Sequence, residues 1–224
     1  MKIGVAVPCY IGHVDMLYDL LDSIESQTLL PDKVVVSCSS TSDFSLQKNY
    51  RFPIEVITTH EKKNAAQNRN IAVANLKDMD YINFIDADDI MHKQRIEFIK
   101  KVIKENSSDI VFHNYFMQDP INKLKITELY ESVDMKVNTL TQCSSGCIRH
   151  INFHNNSDNK IHHSQITVKR EIFEQVLFPE EECYKRKEDC VFCHRVFGLP
   201  NINHVYIENN LSYYRPSGTM QETS

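Results

Sequence analysis

Residues 81–89 read YINFIDADD, an apolar run that leads directly into three acids. The run is short and rich in aromatic and β-branched residues, as is typical of a buried strand. A strand that ends in Asp-x-Asp brings two carboxylates to one loop. Mg²⁺ and Mn²⁺ prefer such hard oxygen ligands and complete their coordination with phosphate oxygens. The plainer interpretation is that Asp88 and Asp89 cap a following helix or line a solvated turn.

Strands and helices alternate on both sides of this stretch. Helical spacing of apolar residues predicts helices at 14–24, 64–77 and 96–105, and short apolar runs predict strands at 3–7, 34–36, 54–58, 81–85 and 109–116. This order indicates the α/β class, with a mostly parallel central sheet flanked by helices. Ligands of such sheets bind beyond the carboxyl ends of the strands, where Pro8–Tyr10 and Asp86–Asp89 both fall.

The regular alternation fades after about residue 120. The remaining predicted elements are strands at 123–131 and 165–169, a helix at 170–176, a loop at 178–187, a helix at 189–197, and a final strand pair at 204–208 and 211–215. We interpret the chain as one domain over residues 1–224. The change in pattern suggests a nucleotide-type half over 1–119 and a substrate-type half, a small C-terminal region, over 120–224.

Composition limits the class of protein. The chain has 224 residues, 42% of them hydrophobic, enough for one sizeable core. Its formal net charge of −5 gives no general electrostatic reason to expect nucleic-acid binding. The seven cysteines form no compact disulfide framework, and no window reaches the roughly 18 to 20 apolar residues of a membrane span. The N-terminal apolar run, broken by Pro8, is too short for a signal peptide. We expect a soluble cytoplasmic protein, with peripheral membrane association left open.

Five segments resemble, in the same order, the inverting family 2 glycosyltransferases, which have the GT-A fold. They are VAVPCY, LLDSIESQTLLPDKVVV, NAAQNRNIAV, YINFIDADD and VKREIFEQVLFPEEECYKRKEDCVFCHRV. The resemblance covers nearly the whole chain and is weakest between residues 120 and 160. It implies transfer of a sugar from a nucleoside-diphosphate sugar, with a UDP-sugar as first candidate, to a hydroxyl of a glycan or another acceptor. It also implies Mn²⁺ or Mg²⁺ as cofactor.

The resemblance also implies a donor site built from strand ends and one helix. Asp86 is expected to hold the ribose and assist the metal, Asp88 to ligate the metal, and Arg69 to reach the base or the diphosphate. The other residues assigned to the nucleotide sugar are Pro8, Cys9, Tyr10, Ser39 and Ala87, the first three of them lining the base pocket.

The catalytic pair implied by the resemblance is Glu188 and Asp189. An inverting transfer is a single displacement, so one carboxylate must take the proton of the acceptor hydroxyl on the face opposite the leaving group. Asp189 is expected to be this general base, with Glu188 supporting it or contacting the acceptor. A helix N-terminus stabilises a carboxylate and lowers its basicity, so the alternative for Asp189 is an ordinary N-cap.

One departure from the family bears on the nucleotide. After its second strand the family commonly shows Asp-Asp-Gly-Ser, where an acid reads the base, whereas this chain has Ser37–Ser40 with sequence SCSS. This motivates a second hypothesis, a catalytically degenerate protein that binds sugar nucleotides or partners without turnover. A nucleotidyltransferase, the third candidate, is expected to carry a Gly-rich phosphate loop after its first strand, and PCYIGHVD is not one.

Further polar residues lie in the second half. A zinc site could use the spacing of four residues, Cys143, Cys147, His150 and His154. The other interpretation of these residues is a polar loop with incidental thiols. The pair His162 and His163 is a candidate contact for an acceptor sugar. The segment 213–215 either closes over the donor diphosphate or forms an aromatic cluster at a strand end.

Overall fold

A nine-stranded sheet forms the centre of the computed structural model, which describes residues 1–137, 140–142, 151–153, 166–185 and 187–215. The strands in chain order are β1 (Ile3–Tyr10), β2 (Lys33–Ser39), β3 (Ile54–Thr59), β4 (Tyr81–Phe84), β5 (Ile90–Met91), β6 (Ile110–Met117), β7 (Met135–Val137), β8 (Leu140–Gln142), β9 (Ile151–Phe153), β10 (Thr167–Lys169) and β11 (His204–Tyr214). The helices are α1 (Val14–Glu25), α2 (Ala65–Ala74), α3 (Arg95–Asn106), α4 (Pro120–Lys125) and α5 (Glu188–Phe197).

The sheet is mostly parallel, with order β3-β2-β1-β4-β10-β6-β11-β5. Strands β1 to β4 pair in parallel, and β6 pairs in parallel with β11. Strand β10 is antiparallel to both of its neighbours, β4 and β6, and β5 and β7 are antiparallel to β11. Strands β8 and β9 form a separate antiparallel pair. The predicted α/β class is confirmed, and strands from both halves of the chain share this one sheet.

Each face of the sheet carries its own apolar core, because the central strands are buried on both sides. On one face, α1 and α3 cover the sheet with residues at helical spacing, among them Leu17, Leu20 and Leu21 of α1. On the other face, α2 and α5 pack through Ala72, Val73 and Phe192. The described residues contain no helix that is long and apolar enough to cross a membrane.

Helix α4 replaces the strand expected at 123–131. Asp119 accepts hydrogen bonds from the backbone of Ile121 and Asn122, and Pro120 occupies the first helical turn, where its missing N–H costs nothing. Local capping therefore decides this segment, and turns occupy the residues that follow.

Two other expectations about secondary structure are wrong. The segment predicted as a helix at 170–176 forms only the 3₁₀ turn Arg170–Glu174, and the expected loop contains a second short turn, Glu182–Tyr184. The expected final strand pair is one continuous strand, β11, whose register against β6 shifts on both sides of Asn210. The shift accommodates the polar residues in its middle without reversing the chain.

Candidate active site

The three acids lie in the loop 86–89, which we call the acid loop and which follows the end of β4. The Asp89 N–H donates to the Asp86 carbonyl at 3.1 Å, which closes a tight turn. Within this turn Asp88 and Asp89 are buried, at 9% and 0% exposure, while Asp86 is partly exposed. Neither buried acid caps a helix, because the next element is β5 and the residue that precedes α3 is Gln94. The capping alternative for these acids is therefore wrong.

Two arginines, Arg95 and Arg215, hold the acid loop in place through hydrogen bonds. Arg95 is fully buried and donates to the Phe84 carbonyl at 2.6 Å and to Ser212 Oγ at 2.7 Å. The Arg215 N–H donates to Asp89 Oδ1 at 2.8 Å, and Arg215 Nε donates to the Asp88 carbonyl. These bonds fix the backbone from which the acids project.

Burial raises the pKa of Asp89 well above its ordinary value, and the nearby charges of Asp86 and Asp88 raise it further. The buried Arg95 guanidinium compensates part of this charge, since Asp89 and Asp86 oppose the desolvation that lowers the pKa of Arg95. Asp89 is thus a buried support of the loop rather than part of its exposed edge.

Arg69 of α2 joins the acid loop to α5. Its Nη2 donates to Asp86 Oδ1 at 2.9 Å and its Nη1 donates to Glu188 Oε1 at 2.8 Å, across 119 residues of sequence in the second case. The Arg69 side chain is 4% exposed. Burial lowers the pKa of Arg69, but the charges of Asp86, Glu188 and Asp189 outweigh burial and raise it overall. Asp86, which is predicted to hold the ribose, and Glu188 of the predicted catalytic pair therefore bind the same guanidinium.

Helix α5 presents the predicted catalytic pair in its first turn. Glu188 is the first helical residue and is buried against Arg69, whereas Asp189 is partly exposed and accepts a bond from the Cys190 N–H at 2.7 Å. The N-cap position belongs to Lys187, so the N-cap alternative for Asp189 is wrong. The carboxylate of Asp189 stands at the positive end of the helix dipole, next to the Arg69–Glu188 pair.

The carboxyl end of β1 carries Pro8, Cys9 and Tyr10, which are predicted to line the pocket for the nucleotide base. Pro8 is buried, and the Tyr10 ring lies 4.3 Å from the ring of His13. A Cβ at Gly12 would come within 2.4 Å of the Tyr10 ring, so glycine is what allows this ring position. Cys9 points into the core, where its contact with Cys38 and burial raise the pKa of its thiol. Cys9 therefore offers its backbone, rather than a thiolate, to this edge.

The serine-rich stretch at the end of β2 forms a neutral hydrogen-bond network with α2. Asn68 accepts from Ser37 Oγ at 2.9 Å and donates to the Cys9 carbonyl at 3.1 Å and to Ser39 Oγ at 3.2 Å. Ser39 is fully buried. Ser40 adopts φ 64°, the left-handed region that favours glycine, in a stretch where the family resemblance places Asp-Asp-Gly-Ser.

The segment 213–215 contacts the acid loop through Arg215, while its closure over a donor diphosphate stays a prediction. Burial and the charges of the loop raise the pKa of Tyr214 to about 12. Besides holding the loop, Arg215 binds Asp19 of α1, with Nη1 2.7 Å from Oδ2. Tyr213 instead contacts the backbone of Asp119. The strand end therefore ties the acid loop to α1 and also forms the edge-on ring pair of Tyr115 and Tyr214.

The loop offers a divalent cation hard oxygen ligands but not a complete shell. Among the residues that the structure describes, no group of three or more His, Cys, Asp or Glu side chains could hold a metal ion. Asp86 and Asp88 are two carboxylates on one turn, which fits Mg²⁺ or Mn²⁺ bound jointly by protein and by substrate phosphates. The neighbouring Ala87 is buried, so its backbone carries the turn between them.

Arg95 is the main site residue that sequence reasoning missed. It starts α3 on the same stripe as Ile99 and Val102, which are core residues. A cation in an apolar stripe at helical spacing is the signal that could have indicated a buried arginine. The zinc candidates at 143–154 and the histidine pair at 162–163 lie outside the described residues.

Comparison with known proteins identifies the family. The family model described as glycosyl transferase family 2 matches residues 4–177. An uncharacterized glycosyltransferase of Haemophilus influenzae is 26% identical over 113 residues, which cover 50% of this chain and 38% of that protein. Glycosyltransferase GlyA of Streptococcus pneumoniae is 32% identical over 119 residues, covering 51% of this chain and 17% of that protein.

Solved structures of TarS from S. aureus share the fold. The complex of TarS 1–349 with UDP-GlcNAc has a TM-score of 0.73 at 20% identity and covers 100% of this chain and 62% of that chain. The UDP complex has a TM-score of 0.71 at 19% identity, covering 97% of this chain and 61% of that chain. The chain thus spans less than two thirds of the length of these relatives. The expected GT-A fold is confirmed, and since the family model matches more than half of the sequence, this chain belongs to glycosyl transferase family 2.

Proposed function

We propose that the chain is a metal-dependent, inverting glycosyltransferase that moves a sugar from a UDP-sugar to an acceptor hydroxyl. The observation that carries the proposal is the shared guanidinium of Arg69, which places Asp86 at the end of β4 beside Glu188 at the start of α5. The two carboxylates thereby lie on either side of one guanidinium near the carboxyl edge of the sheet, where ligands of parallel sheets bind.

The donor is proposed to lie along this edge. Pro8, Tyr10 and the backbone of Cys9 contact the base, with the network of Ser39 behind them. Asp86 holds the ribose, and the buried turn at Ala87 brings Asp88 toward the diphosphate. Arg69, expected from the resemblance to reach the donor, directs both terminal nitrogens to protein carboxylates.

Asp86 and Asp88 would hold the Mn²⁺ or Mg²⁺ ion. When bound, such an ion neutralises charge that develops on a departing diphosphate. The choice of a UDP-sugar draws on TarS, whose structures hold UDP and UDP-GlcNAc. Within 37–40 only Ser40 is partly exposed, so its hydroxyl and nearby backbone groups are the ones proposed to bond a uracil edge in place of an acidic base reader.

Asp189 is proposed as the general base. Its carboxylate takes the proton of the acceptor hydroxyl while that oxygen bonds to the anomeric carbon. The bond from that carbon to the diphosphate oxygen breaks on the opposite face, so the configuration inverts and UDP leaves with its electron pair. Glu188 keeps its charge paired with Arg69 and orients the first turn of α5.

The first test follows the donor alone. UDP-GlcNAc binding is measured by calorimetry with and without Mn²⁺, and slow transfer to water is followed by proton NMR. We expect binding that depends on the cation, and a β-configured sugar as the first product of the α-linked donor. Asp88→Asn should remove the cation dependence. Asp78→Asn, an exposed acid in the turn before β4, is the matched control and should behave as wild type.

The alternative, a degenerate binder of the same fold, rests on the serine-rich stretch that replaces the family's acids. It predicts donor binding with no release of UDP under any cation. An α-configured first product would instead contradict the inverting mechanism. The cytoplasmic location stays a prediction.

A further inference from the structure

We propose that Arg69 is a positioning residue, which locks the acid loop to the first turn of α5 and so sets the distance between donor and general base. The inference rests on the proposed function. It assigns Arg69 a role through protein carboxylates, where the family resemblance alone suggests a contact with the donor.

The geometry of the guanidinium carries the first step. One terminal nitrogen serves Asp86 at 2.9 Å and the other serves Glu188 at 2.8 Å. The planar fork of arginine can hold two carboxylates at a fixed separation, which the single ammonium of lysine cannot. Because the Arg69 side chain is 4% exposed, little of it faces a ligand.

Helix capping and aromatic packing hold Arg69 in place. Helix α2 begins with a capping box, in which Asn64 and Gln67 bond each other's backbone. The Arg69 guanidinium lies over the Phe178 ring at 5.4 Å, and that ring stacks on Phe192 of α5 at 4.0 Å. Arg69 and α5 therefore share one aromatic support.

Polar bonds hold that support in place. Asn70, the neighbour of Arg69 on α2, donates to the Phe178 carbonyl at 2.9 Å and accepts from the Phe178 N–H at 3.1 Å. Asn64 at the start of α2 donates to the Glu180 carbonyl at 3.1 Å. Loop 178–180 is thus fastened to α2, and the stacking of Phe178 on Phe192 extends this support to α5.

The carboxylates around Arg69 give an electrostatic reason for this positioning role. Asp86, Glu188 and Asp189 all lie close enough to Arg69 to favour its charged form. Without the guanidinium, Asp86 and Glu188 would be partly buried carboxylates that repel each other. The first turn of α5 would then move away from the acid loop. A displacement of about 1 Å in a reacting group can cost on the order of 100-fold in rate.

A double-mutant cycle tests the proposal, with Arg69→Gln, Glu188→Gln and the double variant. Donor affinity and the rate of UDP release at saturating UDP-GlcNAc and Mn²⁺ are measured separately. We expect Arg69→Gln to lower the saturated rate roughly 100-fold and the double variant to be no slower than Arg69→Gln. Arg51→Gln, an exposed arginine paired with Glu25 at the far end of α1, is the control and should stay within about twofold of wild type.

A different pattern would overturn the inference. If Arg69→Gln weakens donor binding only, and its effect multiplies with that of Glu188→Gln, then Arg69 is a donor contact. If Arg69→Gln does not fold, the same cycle is run with Arg69→Lys, which keeps the charge but lacks the planar fork that fixes the separation of two carboxylates. Wild-type protein that neither binds nor releases UDP contradicts the proposed function itself, whereas an active wild type with an additive cycle contradicts only this inference.

Discussion

Replacing Arg95 by methionine tests how the acid loop is held. Methionine has a similar length and leaves no large cavity, so the change removes mainly the guanidinium. The variant loses the bonds to the Phe84 carbonyl and to Ser212 Oγ, and also the cation that compensates Asp89.

The largest of these three changes sets the expected loss, because contributions within one bonded network do not simply add. Each buried polar group left without a partner costs about 1–3 kcal/mol, and removing one member of a buried charged pair costs about 3–5 kcal/mol. We therefore expect Arg95→Met to lose about 3–5 kcal/mol of unfolding free energy. For a chain of this size the loss corresponds to a fall in Tm of roughly 6–20 °C.

The assay is urea unfolding of wild type, Arg95→Met, Asp89→Asn and the double variant. Asp89→Asn alone should cost less than Arg95→Met, because burial and the neighbouring acids already raise the pKa of this carboxyl and Arg95 keeps its two hydrogen bonds. It should also recover about 1–3 kcal/mol of the Arg95→Met loss, since no uncompensated carboxylate then remains. A loss below about 1 kcal/mol for Arg95→Met, or a double variant no more stable than Arg95→Met, would refute the reasoning.

Three further predictions concern the core, pH and the strand-end contact. Leu20→Ala should lose about 2–5 kcal/mol in urea unfolding, because Leu20 is fully buried between α1 and the sheet; an unchanged midpoint contradicts this packing. Burial lowers the pKa of His92, whose Nδ1 accepts from the Gln94 N–H at 3.1 Å while Nε2 lies 2.7 Å from the Glu128 carbonyl. The unfolded state therefore binds the proton first, so unfolding free energy should fall as pH drops below about 6.5, and His92→Gln should show a shallower slope between pH 7.5 and 5. Asp19→Asn removes the exposed partner of Arg215 and should change stability by less than about 1 kcal/mol. Arg215→Met should weaken calorimetric UDP-GlcNAc binding, because the Asp88 carbonyl loses its Nε donor while the backbone N–H of residue 215 still bonds Asp89; equal effects of both variants on binding would contradict this division.

Local patterns are enough to predict most of the sheet. Strand β1 and strand β2 are continuous apolar runs, and α1 repeats apolar residues at helical spacing, so each element is specified by its own residues. The pattern of β11 predicts two strands, because Asn209 and Asn210 interrupt its apolar residues as a turn does. In the structure Asn209 instead accepts from the Asp134 N–H and donates to the Ser132 carbonyl. A contact with another segment decides this case, and local sequence does not contain it.

Sequence patterns predict the residues of the candidate site better than the contacts between those residues. A strand that runs into acids is enough to predict that Asp86 and Asp88 lie at the sheet edge. The partner of Arg69 cannot be found in the same way, because Glu188 lies 119 residues further along the chain and its distance depends on how α2 and α5 pack. The burial of Asp89 has the same origin, since it requires β11 to bring Arg215 beside the loop.

Separate measurements of donor affinity and of turnover in Asp189→Asn test the central claim most directly. The amide keeps the shape of the side chain but cannot accept the proton of an attacking hydroxyl. With Mn²⁺ present, the account predicts calorimetric UDP-GlcNAc affinity within a few-fold of wild type and a rate of UDP release lowered roughly 10²–10⁴-fold. Near-normal release by Asp189→Asn would contradict the assignment of the base, and with it the proposed mechanism.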